Sequence, residues 1–240
     1  MRLVRNAGSD RVIDLVRPWL TRGNRLDVVT PTLSLFAFAE VLRDLAAVPR
    51  CRFLLPPEGA ELAILGSDAD RPARNRLQAP WLAGRLAEWL HSNAEVRRAL
   101  GSIPQGAFVL RDSDARPLQG LLGSLAFSTD GLGLTPCNPL SLIQASETPD
   151  EASLLGAWFD AQWSRLAADP GVQTALIATL QSLAAHRNPF IGPFTLLGIV
   201  KSIFLLSTNK MLGIEGIFLD TMIFILSLLL VLAISRTLLQ

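Results

Sequence analysis

Residues 103–134 read IPQGAFVLRDSDARPLQGLLGSLAFSTDGLGL. Gly106–Leu110 is short and mostly apolar, which predicts a buried strand. Arg111–Arg116 is polar and contains Asp-Ala-Arg-Pro, which predicts a turn. Leu118–Leu122 is apolar again, Gly123-Ser124 ends that run, and Gly131-Leu132-Gly133 closes the unit. Two short strands around a polar turn make a hairpin-like element. Gly131-Leu132-Gly133 lacks the third glycine and the βαβ setting of a dinucleotide site and reads as a turn.

The segments to the N-terminal side set this hairpin in an α/β domain. Asp10–Leu20 suits a short helix disturbed by Pro18 and ended near Gly23. Arg25–Thr30 is strand-like and stops before Pro31. Leu33–Ala47 carries Leu33, Phe36, Phe38, Val41, Leu42 and Leu45 at helical spacing. Arg50–Leu55 is a further strand, stopped by Pro56-Pro57, and Glu58–Pro72 reads as a loop. Arg74–Leu100 has an apolar stripe through Leu77, Trp81, Leu82, Leu86, Trp89, Leu90 and Val96 and predicts a helix, with Gln78-Ala79-Pro80 as a candidate break near its start and both tryptophans on its core face. On the C-terminal side, Leu140–Ala145 predicts a strand. Thr148-Pro149-Asp150-Glu151 starts a helix over Ser153–Ala168, with proline and acids in its first turn. Pro170-Gly171 breaks it before a last helix, Val172–Ala185.

The order strand, turn, strand in 103–134 resembles the signature region of the phospholipase D superfamily. There the first strand carries His-x-Lys and the second ends in Gly-Ser-x-Asn. The resemblance implies a histidine nucleophile for a phosphodiester, a second histidine as acid, and Lys and Asn on the phosphoryl oxygens. In this chain Pro104 stands in the His slot and Gly106 in the Lys slot. Gly123 and Ser124 are kept, and Ala126 stands in the Asn slot. The only two histidines, His91 and His186, are not followed by x-Lys, and no lysine precedes Lys201, so composition excludes a relocated His-x-Lys. The expectation is a degenerate member that is not an enzyme. The plain alternative is a β-hairpin in some other α/β domain.

A second resemblance covers about residues 5–189. Val12–Gly23 (V-x-D-x-x-R-P-x-L-x-x-G), Leu33–Phe38, Arg52–Leu55 and the later A-W-F-D-x-x-W look like the phospholipase D-like domain that precedes the motor of certain bacterial ATP-dependent helicases. No GxxxxGK[ST] follows, so this resemblance implies the N-terminal module without its motor. The expected fold is an α/β/α sandwich with a mixed sheet. The expected divisions are 1–170 for that domain, 171–189 for a connecting helix and 190–240 for an apolar helical tail.

Composition narrows function. With 240 residues a sizeable core is possible, and a net charge of +1 gives no strong field toward nucleic acid or acidic partners. Cys51 and Cys137 lie in no CxxC or Cys/His cluster, which predicts neither metal nor cofactor and fits a reducing compartment. Met1–Asp10 is charged with no apolar core behind it, unlike a signal peptide. Arg71, Arg74, Arg76, Arg85, Arg97 and Arg98 are candidates for phosphate contacts. The alternative for them is a solvated helix face.

Composition shifts near residue 190. Residues 1–189 contain five Ile and no Lys, whereas the last 51 contain eight Ile and both lysines. Residues 217–235 carry one charge, Asp220, over a length that rises about 28 Å as a helix, which predicts a transmembrane span. Phe190–Ser207 is also apolar and could form a hairpin with it. The break has two readings, an evolved anchor or an accidental peptide from a frameshift or gene truncation. The primary expectation is therefore a cytoplasmic, non-catalytic accessory module. Its expected partners are DNA or RNA, a helicase motor domain, or a second copy of itself. The alternative is a membrane-anchored interaction protein attached through 217–235, and an active phosphodiesterase or nuclease ranks below both.

Overall fold

The computed structural model describes residues 1–57, 62–66, 70 and 79–185. Residues 1–186 form one compact unit, and the expected helical tail with its span at 217–235 lies outside the described residues. Among the described residues no helix is long and apolar enough to cross a membrane.

The domain is mixed α/β. Its strands are β1 (Arg2–Val4), β2 (Arg25–Val29), β3 (Arg50–Leu55), β4 (Ala94–Arg98), β5 (Gly106–Arg111), β6 (Pro117–Gly123) and β7 (Ile143–Ala145). Its described helices are α1 (Val12–Val16), α2 (Leu35–Leu45), α3 (Ala79–Asn93), α4 (Pro149–Arg165) and α5 (Pro170–Ala185). The seven strands form one sheet in the order β1-β7-β6-β5-β2-β3-β4. β2, β3 and β4 run parallel, and β5, β6, β7 and β1 are joined by antiparallel pairings.

Local chemistry explains where the elements begin. The Ser34 hydroxyl accepts hydrogen bonds from the Phe36 and Ala37 backbone N–H groups and caps α2. Thr148 does the same for Glu151 at the start of α4, where Pro149 occupies the first turn. The Gln173 side-chain amide donates to the carbonyl of Leu90 in the last turn of α3 at 3.0 Å and to that of Ala94, which opens β4, at 3.1 Å. That bond, with buried Leu176 and Leu180, joins α5 to α3.

The two faces of the sheet are covered unequally. One face carries the main core, where α1, α2, α3 and α5 meet Leu26, Val28, Phe53, Leu55, Phe108 and Leu121. An aromatic chain crosses this core. Phe38 and Phe53 contact Trp89 at 5.7 and 6.0 Å between ring centres, and Phe127 contacts Phe53 and Phe108 at 5.8 and 6.2 Å. Such pairs add about 0.5–1.5 kcal/mol each beyond the area they bury. On the other face α4 packs Leu155, Phe159 and Trp163 against Val29, Leu54, Ala107 and Val109.

Two expectations are corrected. The helix expected to reach Leu100 stops at Asn93, and Ala94–Arg98 continues as β4. The reason is tertiary: without β4, the outer edge of β3 would leave backbone groups unpaired, and the Cys51↔Ala94 to Leu55↔Arg98 ladder satisfies them. Trp81 is not in the core either. Trp89 is 7% exposed and Trp81 is 57% exposed, because eight residues advance a helix about 80° past two full turns. Of the two cysteines, Cys51 is fully buried, and burial first, then the charge of Asp27, raises its thiol pKa far above the ordinary value.

The N-terminal strand is tied down by a carboxylate. Asp10 accepts from the Arg2 guanidinium at 2.9 Å and from the Arg5 backbone N–H at 3.0 Å. The Arg5 N–H first, and Arg2 second, lower its pKa from 3.8. A lowered folded-state pKa stabilises fully above the unfolded value, and that contribution is lost as pH falls through the folded one. Urea melts from about pH 5 down to about pH 2.5 are therefore expected to fall more steeply for the wild type than for Asp10→Asn. Parallel slopes would show that Asp10 plays no such part.

Candidate functional site

The two ends of β2, β3 and β5 carry different chemistry. At the C-terminal end of β2 lie Gly106 and Gly123, two of the positions set against the family signature in the sequence. Gly106 opens β5 and Gly123 closes β6, and the two are direct partners in the antiparallel ladder. Pro104 and Ser124 are exposed, and Ala126 is half-buried. The backbone occupies the space a side chain would need. A Cβ on Gly106 would fall on the carbonyl oxygen of Leu125 and lie 3.1 Å from that of Val29. A Cβ on Gly123, where φ is +138°, would fall on the carbonyl oxygen of Leu142. Of the residues that could donate a proton or attack a phosphate, none stands at positions 104, 106 or 126.

Among the described residues, the arginines expected to bind phosphate do not converge. Arg85 is on the exposed side of α3 and pairs with Glu88 at 2.7 Å. Arg97 is half-buried. It pairs with Glu95, donates to the carbonyls of Trp163 and Leu166 at 2.8 Å each, and lies 4.4 Å over the Trp163 ring. Arg98 donates to the carbonyl of Pro56 at 2.9 Å. Arg97 and Arg98 thus serve as struts on β4 rather than as a helix face. Arg71, Arg74 and Arg76 lie outside the described residues.

The opposite end of the sheet holds an open cleft of about 680 Å³. Its floor is the α4 face of β2, β3 and β5, where register lines up charges. Arg111, Arg25 and Arg50 are successive cross-strand partners, so three guanidinium-bearing residues stand in one row on one face. The next row on that face places Asp27 beside Arg52, followed by Glu95 on β4. These rows occur because β2 and β3 carry charges at every second position, Arg25-x-Asp27 and Arg50-x-Arg52, beside the apolar Val29 and Leu54.

Asp27 is the hub. Its carboxylate is buried and accepts two bonds from Arg52 at 2.7 Å and one from Arg111 at 2.6 Å. Asp160 on α4 accepts from the same two guanidiniums at 2.8 and 3.1 Å. Arg52 also lies 4.7 Å over Phe159 and 5.4 Å over Trp163. Burial works against the Arg52 charge, and the hydrogen bonds to Asp27 and Asp160 outweigh it, so its pKa stays above the ordinary arginine value. Sequence reasoning missed this cluster. The detectable signal was charge at period two inside otherwise apolar strands, since such a charge needs a partner on its own face.

Comparison with protein-family models gives no match, and neither does comparison with curated proteins. Among the described residues there is no group of His, Cys, Asp and Glu able to hold a metal ion.

The cluster makes the acids unequal. Asp27→Ala is expected to cost about 3–5 kcal/mol, because two largely buried guanidiniums lose their main partner. Asp160, with a side chain 46% exposed, is expected to cost under about 1 kcal/mol as Asp160→Asn. Urea midpoints would check both, and equal losses would contradict the ranking. By the same measure Gly106→Ala is expected to cost about 1–3 kcal/mol from the carbonyl clash, against less than about 0.5 for Ser124→Ala.

Proposed function

We propose that the chain is a non-catalytic, phospholipase D-like accessory module that binds nucleic acid, as a helicase N-terminal domain would without its motor. The observation that carries this reading is the Gly106–Gly123 pair. It keeps two adjoining strands where the signature would lie, and at Gly106, in the Lys slot, a backbone carbonyl fills the place of the side chain. A seven-strand mixed sheet with helices on both faces is compatible with it. Nucleic acid as the partner follows from the resemblance to the helicase-associated domain. Charge supports it only locally, since the net charge is +1.

The work of such a module is to position a strand, not to cut it. Without a histidine at 104, the superfamily's covalent histidine-phosphoryl step is not available there. A membrane-anchored interaction protein is the competing reading, and it depends on residues 217–235.

Full-length protein is expected to retain a fluorescein-labelled DNA or RNA oligonucleotide in anisotropy titrations at low salt, with affinity falling as salt rises. It is expected to leave bis-p-nitrophenyl phosphate intact. Turnover of that ester above buffer would overturn the non-catalytic reading, and no retention of any oligonucleotide would overturn the nucleic-acid one.

A further inference from the structure

The cleft at the N-terminal ends of β2 and β3 holds more positive charge than its own acids balance. Arg25, Arg50, Arg52 and Arg111 line it together with Asp27, Glu95 and Asp160. Asp27 and Asp160 are both used by Arg52 and Arg111, and Glu95 is used by Arg97. Arg25 and Arg50 remain. Neither makes an ion pair among the described residues, yet they are direct partners across the β2–β3 ladder. Arg25 uses one donor on the carbonyl of Ser113 at 2.9 Å, out of the five that a guanidinium carries. Arg50 is exposed.

Like charges directly opposite each other on one face of a sheet destabilise it. Here the pair also stands beside Arg111, so the row has three positive groups, of which only Arg111 is neutralised by a carboxylate. The arrangement is favourable when an external anion lies between the two free guanidiniums. A tetrahedral oxyanion suits them, since each guanidinium offers parallel N–H donors and a phosphate offers several acceptor oxygens. The wall adds neutral polar groups, Ser92 and Asn93, from the end of α3. Most of the exposed lining is polar, and its aromatic member, Trp163, is 6% exposed and already covered by Arg52 and Arg97, so stacking with a base is not what the cleft provides.

We propose that Arg25 and Arg50 form a binding site for a phosphate group. The site lies at the opposite end of β2 from Gly106 and Gly123, so it does not depend on the phospholipase D-like reading. The phosphate has two chemical sources, a free phosphate or phosphomonoester, and the phosphodiester backbone of a nucleic acid. In the second case the site deepens the function proposed above and rests on it.

The test uses full-length wild type, Arg25→Gln/Arg50→Gln, Arg50→Gln alone, and a control with the same charge change at exposed positions, Arg22→Gln/Arg43→Gln. Each is titrated with inorganic phosphate, read by thermal melting, and with a labelled single-stranded oligonucleotide, read by anisotropy. In the absence of phosphate the double variant is expected to melt no lower than the wild type, because a repulsive pair is gone. Phosphate is expected to raise the wild-type and control midpoints and to leave the double variant unmoved, with Arg50→Gln between them. If the backbone is the source, the double variant also loses at least about tenfold in oligonucleotide affinity, and its salt slope drops by about 1.5–2. Oligonucleotide affinity kept alongside a lost phosphate response identifies the free phosphate group as the source. A double variant that matches the control in both titrations overturns the site. Nucleic-acid binding that persists in that case leaves the accessory-module reading standing, so the two failures are distinguishable.

Discussion

One buried carboxylate holds the charged half of this domain together. Asp27 sits near the middle of β2, with Arg52 on one side and Arg111 on the other, and each guanidinium reaches on to Asp160. Four chain segments, β2, β3, β5 and α4, are joined by this single quartet. Without Asp27, the α4 face would present positive groups on three adjacent strands with the half-exposed Asp160 as their main remaining counter-charge. The quartet also fixes where apolar packing can start, since Phe159 and Trp163 take their places under the Arg52 guanidinium.

The same constraint divides the face of the sheet. Toward the C-terminal end of β2, Val29, Leu54 and Ala107 pack beneath α4. Toward the N-terminal end the residues on that face are charged, and an open cleft replaces the helix contact. The alternative solution, apolar residues at 27, 52 and 111, would let α4 lie flat along the whole face and would remove the cleft. Replacing buried ion pairs by apolar groups is often neutral or stabilising. Their presence here therefore favours a reason beyond stability, and the two unbalanced arginines beside them are consistent with that.

Much of the fold was legible in local pattern. β2, β3, β5 and β6 are apolar runs bounded by Pro, Gly or a polar turn, and α2 and α4 announce themselves through Ser34 and Thr148. The losses came where pairing outranks propensity. Arg2–Val4 is three residues long and is a strand only because β7 accepts it. Ala94–Arg98 continues a helical stripe in sequence and was taken up by the free edge of β3. The arginine row was hidden for a related reason. Residues 25, 50 and 111 become neighbours only through register, and the cluster of arginines between 71 and 98, dense in sequence, is scattered in space among its described members.

The Gly106–Gly123 pair also limits what mutation can reach. A histidine at 104 or an asparagine at 126 needs only a new side chain at an exposed or half-buried site. A lysine at 106 needs the Leu125 carbonyl to withdraw, and with it the turn that leaves β6. Single base changes act on side chains one at a time, whereas this step asks the backbone to move before any benefit appears. The arrangement therefore sets a threshold: a long side chain at 106 is closed to any change that leaves the backbone where it is.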